Sequence, residues 1–206
     1  SLTGLPNRLC FNKFYTKALD YAFRSGSCFG IMIIDIDNMK MINDTTGYVA
    51  GDAILKNSAK ILEKFKRKNI RPFRLGDDEF ILLVTDITSR DEMANICDAV
   101  YEMFQLSDIS ISAGIAISPD DSSDGSTLLK YADLAMHAAK HSGKNNIVFF
   151  QENMYNSFLY QTMLQKKIVN ATEKRCFELY FQPQFNIRTN ILRGFEALLR
   201  WHDTTL

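Results

Sequence analysis

Arg74-Leu75-Gly76-Asp77-Asp78-Glu79-Phe80 places a glycine turn and three consecutive carboxylates directly before the apolar run Phe80-Ile81-Leu82-Leu83-Val84. Glycine beside an acidic residue between two apolar segments is a hairpin signal, because turn positions with φ > 0 accept Gly, Asn or Asp at little cost. The stretch predicts a β-hairpin with acids held at its tip. Neighbouring carboxylates repel each other, and hard oxygen ligands at a rigid tip suit Mg²⁺ shared with substrate phosphates. Taken alone, a solvated acidic turn is the simpler reading.

A second acidic site upstream changes that balance. Ile31-Met32-Ile33-Ile34-Asp35-Ile36-Asp37 is a β-branched apolar run ending in Asp-x-Asp. Such a run reads as a strand buried on both faces, and residues i and i+2 of a strand point the same way. Asp35 and Asp37 are expected to share one face at the strand's end.

Around these two sites stand Ser1-Leu2-Thr3-Gly4-Leu5-Pro6-Asn7-Arg8, Lys40-Met41-Ile42-Asn43-Asp44, Gly47-Tyr48-Val49-Ala50-Gly51-Asp52, and Ala132-Asp133-Leu134-Ala135-Met136 with Lys140 and Gly143-Lys144-Asn145. In that order and spacing the chain resembles the GGDEF family of diguanylate cyclases over residues 1 to about 150. The resemblance implies an α/β (α+β) fold: a ferredoxin-like cyclase palm with a central, mostly antiparallel sheet flanked by helices. It implies bacterial signalling in which two GTP molecules are joined into cyclic di-GMP. It further implies that Asp35, the Ile36 carbonyl and Asp78 hold Mg²⁺ or Mn²⁺, with Glu79 a ligand or hydroxyl activator. Lys40 and Lys140 balance phosphate charge, Asn43 and Asp52 read the guanine edge, and two copies face each other as a homodimer. Taken singly, the lysines are ordinary solvated helix residues, Asn43 and Asp52 ordinary helix caps, and Asp37 a residue that orients a neighbour.

Composition sets outer limits. The 24 basic and 24 acidic residues balance, so no global attraction to nucleic acid or anionic membrane exists and phosphate recognition must be local. Cys10, Cys28, Cys97 and Cys176 are scattered without a metal-ligand pattern, which fits a reduced, cytoplasmic interior. The longest apolar run, Cys28 to Ile34, is far short of the ~20 residues that span a bilayer. No signal peptide or anchor is read, and the start inside a motif suggests a piece of a larger protein, one that could be membrane-attached.

Between the motifs the periodicities alternate. Residues 7–24 carry a helical apolar stripe that Asn7 can cap, residues 50–66 another, and helices are expected from Asn38, near 90–105 and through Leu128 to Ala139. Ile109 to Ile117 reads as a strand with isoleucines inward and small residues outward, and Asn146 to Phe150 as an edge strand. The interleaving is βααββαβ-like, helices packed on a sheet.

Composition shifts near Gln151. Residues 151–176 read as a linker helix, and Phe177 to Gln184 and Leu192 to Trp201 as two strands joined at Thr189-Asn190. These resemble the opening of an EAL domain, the cyclic di-GMP phosphodiesterase barrel, including Gln182-Pro183 and the Glu196-Ala197-Leu198 signature. By that resemblance Glu196 is a metal ligand, Gln182 and Arg200 touch the dinucleotide, and cyclic di-GMP is met through the full EAL domain. Residues 177–206 supply only its start, and two strands cannot close a barrel. Within this length an ion-paired or solvated strand face is the plainer reading of the three.

Three positions depart from the GGDEF pattern. Where the signature has Gly-Gly this chain has Gly76-Asp77, a side chain where glycine lets backbone approach the nucleotide. Asp at φ > 0 costs about 1 kcal/mol. One carboxylate about 5 Å from one phosphate charge, at an effective dielectric of about 20, costs roughly 3 kcal/mol. The expectation is a weak or silent cyclase that still binds GTP and regulates an attached EAL domain, the alternative being a working cyclase. Tyr48 replaces a common histidine. In Arg67-Lys68-Asn69-Ile70, at the place of the family's product-inhibition motif, Ile70 cannot accept the guanine hydrogen bonds that Asp would.

Overall fold

The structure, a computed structural model, describes residues 2–201; Ser1 of the first motif and residues 202–206 of the EAL-like segment lie outside the described residues. The chain divides into two units, Ser1–Tyr155 and Asn156–Leu206.

In the first unit the elements run α1 (Arg8–Ser25), β1 (Cys28–Ile36), α2 (Met39–Thr46), α3 (Tyr48–Phe65), β2 (Ile70–Arg74), β3 (Glu79–Ile87), α4 (Arg90–Gln105), β4 (Ile111–Ser118), α5 (Gly125–His141) and β5 (Asn146–Phe149). Asn7 caps α1 by accepting from the Cys10 N–H, as its position predicts. Five strands form one mixed sheet in the order β2-β3-β1-β4-β5. Its first three pairings are antiparallel and β4–β5 is parallel. Both faces are covered: Met32, Ile34, Phe80, Leu82 and Val84 pack with Leu62 of α3 and Cys97 and Phe104 of α4. Ile31, Ile33, Ile81 and Leu83 pack with Phe11 and Tyr15 of α1 and Leu128, Ala135 and Met136 of α5. Strands buried on two sides are therefore continuous in apolar character, as in β1.

The alternation read into β4 proves different. Every residue of Ile111–Ser118 is buried, so the small residues do not face water. They are small because α5 lies close: a Cβ on Gly114 would overlap the Ala132 carbonyl and the Met136 N–H.

The second unit holds all but the first turn of α6 (Glu152–Glu173), then β6 (Phe177–Phe185) and β7 (Leu192–Trp201), paired antiparallel as a two-stranded ribbon. Asn186 shapes the turn by accepting from the N–H groups of Arg188 and Thr189, and Asn190 takes a φ of 54°. Among the described residues no helix is long and apolar enough to cross a membrane.

Candidate functional site

The antiparallel register brings the two acidic stretches together, since Asp35 at the end of β1 lies opposite Glu79 at the start of β3. The Ile36 N–H donates to the Asp78 carbonyl at 3.2 Å, stitching the tip to the strand end. Asp35 and Asp37 both turn to the α5 side, as the two-residue period predicts. Asp35 pairs with Lys140 Nζ at 2.7 Å, and Glu79 with Arg8 at 3.7 Å. Burial pushes the Asp35 carboxyl above its ordinary range; Lys140 opposes the shift, while the charges of Asp78 and Glu79 add to it.

Beside this acidic end is a cleft of about 500 Å³, walled by α2, the start of α3 and the β2–β3 tip. Lys40, Asn43, Asp52, Asp77 and Asp78 line it, together with Tyr48 and Arg74. The site residues expected in the first unit thus fall at one end of the sheet. Asn43 is seated by a close approach: a Cβ at Gly51 would overlap its Oδ1.

The hairpin tip corrects one expectation. Neither Gly76 nor Asp77 has positive φ, and a Cβ on Gly76 would meet nothing within 4 Å. Four residues separate the strands, and loops of that length form without the left-handed positions of a two-residue turn. Arg74 holds the loop instead, its Nε donating to the Gly76 carbonyl at 3.0 Å and its Nη2 to the Asp77 carbonyl at 2.6 Å. Arg8 adds a hydrogen bond to the Leu75 carbonyl at 3.3 Å. Arg74, Arg8 and Gly51 all lie in the motifs of the sequence without these roles; Arg74, beside the acid run, was the readable signal, while Arg8 reaches the loop only through the fold.

Among the described residues no three acidic, histidine or cysteine side chains lie close enough to form a metal-holding group. The chemistry of the set nonetheless fits a divalent cation: carboxylate oxygens gathered at one strand end, where Asp78 and Glu79 add to the upward push on Asp35 and Lys140 supplies the balancing charge there.

On the ribbon, Gln182 lies opposite Glu196 and Glu178 opposite Arg200, so Gln182, Glu196 and Arg200 share one face. Gln182, Glu196 and Arg200 are exposed, and Arg200 Nη1 donates to the Leu199 carbonyl at 3.0 Å.

A mixed sheet clothed by helices, with clustered acids and a cleft at one end, defines a cyclase-type palm. Residues 1–146 match the family described as diguanylate cyclase, GGDEF domain, and the chain belongs to that family. It is 34% identical over 209 residues to the signaling protein YkoW of Bacillus subtilis, covering 97% of this chain and 26% of the relative. It is 32% identical over 208 residues to the bifunctional diguanylate cyclase/cyclic di-GMP phosphodiesterase MucR of Pseudomonas aeruginosa, covering 98% and 30%. The solved GGDEF domain of PA1120 (TpbB or YfiN) from Pseudomonas aeruginosa superposes with a TM-score of 0.73 at 32% identity, over 77% of this chain and 98% of that one. The chain spans between a quarter and a third of the length of these curated relatives.

Proposed function

We propose that the GGDEF domain, residues 1–150, binds one GTP with Mg²⁺ or Mn²⁺ and chiefly regulates an attached EAL phosphodiesterase domain, its own cyclase activity being weak or absent. The observation that carries this reading is the convergence of Lys40, Asn43, Asp52, Asp77 and Asp78 on one cleft beside the Asp35–Glu79 end of the sheet. The Asn43 amide and the Asp52 carboxylate offer the donor and acceptor groups that a guanine edge requires. Lys40 and Lys140 balance phosphate charge. Asp35, the Ile36 carbonyl, Asp78 and Glu79 would hold the metal, which supplies charge neutralisation for the leaving pyrophosphate and activation of the attacking 3′-hydroxyl.

Asp77 sets the limit on turnover. Its side chain lines the same cleft, where four aspartates, Asp44, Asp52, Asp77 and Asp78, outnumber Lys40 and Arg74. A further negative charge about 5 Å from a phosphate costs roughly 3 kcal/mol, enough to slow a reaction that already brings two triphosphates together. One observation favours the alternative, an active homodimeric diguanylate cyclase: Asp77 is accommodated without left-handed backbone, so the tip carries no strain from the substitution.

Residues 151–176 then serve as a linker helix and 177–206 as the start of the EAL domain, in which Gln182, Glu196 and Arg200 meet cyclic di-GMP and its metal. Support comes from their shared ribbon face and from the alignment with a bifunctional cyclase/phosphodiesterase, which continues past residue 146. A cytoplasmic site of action follows from the GTP requirement.

Titration calorimetry of GTP into this chain tests the reading. One GTP per chain in Mg²⁺, lost on chelation and in Asn43→Ala, is expected; no heat in Mg²⁺ or Mn²⁺ removes nucleotide binding from the account.

A further inference from the structure

Asp37 has no part in the chemistry above, yet its side chain is fully engaged. It is 3% exposed. Ser110 Oγ donates to its Oδ2 at 2.5 Å, Ser112 Oγ to its Oδ1 at 2.7 Å, and the Asn145 N–H to its Oδ2 at 2.9 Å. The Asp37 N–H donates to the Ser110 carbonyl at 3.0 Å. Hydrogen bonds to an ionised acceptor are the strong kind, so the carboxylate ties the end of β1 firmly to whatever supplies the donors.

The third donor lies in an unusual place. Gly143, Lys144 and Asn145 hold positive φ in succession, 112°, 64° and 46°. Left-handed backbone at non-glycine residues persists only where the surroundings over-determine it. Here the Tyr101 hydroxyl also donates to the Asn145 carbonyl at 2.8 Å, and the Gln105 amide pairs with the Asn145 side chain. This turn begins three residues after Lys140, the partner of Asp35 in the last turn of α5, and contains Lys144, whose Nζ donates to Asn38 Oδ1 at 2.6 Å. One cation thus sits in the strained turn and a second at the helix end that leads into it.

Resting on the nucleotide reading above, we propose that Asp37 is a positioning residue: its carboxylate clasps the 143–145 turn to the start of β4 and thereby sets Lys140 and Lys144 for the phosphates of a nucleoside triphosphate. Asn43 and Asp52 belong to α2 and α3 and Asn43 is seated against Gly51 of α3, whereas the turn meets α2 only at its N-cap, Asn38. Losing it weakens grip on the phosphates and leaves grip on the base.

The test compares the chain with Asp37→Asn, which keeps the shape, and Ser112→Ala, which removes one donor and leaves Asp37 in place. Amide hydrogen exchange at residues 143–145 is read alongside calorimetric binding of Mg²⁺·GTP and of guanosine. In Asp37→Asn the turn amides exchange faster, Mg²⁺·GTP binds about tenfold more weakly and guanosine stays within about twofold. Ser112→Ala moves the same readouts in the same direction by less. Equal loss for GTP and guanosine, or unchanged GTP affinity and exchange, overturns the positioning role while leaving nucleotide binding intact. A parent chain that binds neither ligand overturns the nucleotide reading and the positioning role with it.

Discussion

Phe80 and Phe181 are both phenylalanines of antiparallel strands, but Phe80 is wholly buried and Phe181 is 62% exposed. Around Phe80, α3 and α4 close over one face of the sheet and α1 and α5 over the other. Around Phe181, the ribbon leaves Leu179, Phe195 and Leu199 exposed at 59%, 61% and 58%. These side chains lie on the face opposite Gln182, Glu196 and Arg200. A two-stranded ribbon is marginal by itself, and its apolar face is a surface that asks for cover. The difference teaches that local strand pattern specifies which residues share a face, while cover comes from elements elsewhere in sequence.

That contrast breaks most visibly at Phe80. Phe80→Ala removes a fully buried ring from the sheet and is expected to cost about 3–5 kcal/mol in urea unfolding followed by circular dichroism. A cost under about 1 kcal/mol would show that the sheet is not the packed body described. The cleft obeys the same close packing on a smaller scale. Gly51→Ala displaces the Asn43 amide, and Mg²⁺·GTP affinity measured by calorimetry is expected to fall about tenfold.

A surface cap comes next. Asp124 caps α5 by accepting from Ser126 and Thr127, and those hydrogen bonds hold its carboxyl down at about 2. A depressed carboxyl stabilises the fold above its unfolded value, near 4, and that contribution disappears as pH falls through about 2. Asp124→Ala is therefore expected to lower the melting temperature by a few degrees at neutral pH, the gap closing by about pH 2. A gap independent of pH would remove the charge from the explanation. The smallest effect belongs to Phe181→Ala, within about 0.5 kcal/mol of the parent in the same urea experiment, because little burial is lost. A cost near that of Phe80→Ala would mean that the ribbon face is covered.

Much of the site was legible because it is local. The run from Ile31 to Asp37 announces a two-sided strand ending in acids, and Gly76 to Glu79 an acidic hairpin loop. The antiparallel register that sets Asp35 opposite Glu79 follows once those strands pair. What stayed hidden depends on long range. Ser110, Ser112 and Asn145 reach Asp37 across 73, 75 and 108 residues, so no spacing rule could single them out. The size alternation of β4 was visible but misread as polarity, since Gly114 is small for the sake of α5. The left-handed turn expected at Gly76-Asp77 is absent because a longer loop gripped by Arg74 does not need one.

Asp77 carries the central claim, that a carboxylate in the cleft separates nucleotide binding from turnover. The most direct measurement is cyclic di-GMP production from GTP and Mg²⁺ by the chain and by Asp77→Gly, side by side with matched GTP binding. The account predicts binding by both proteins and product only, or at least about a hundredfold faster, from Asp77→Gly, since roughly 3 kcal/mol is removed. Equal product from both proteins would contradict it and make the native chain a working cyclase.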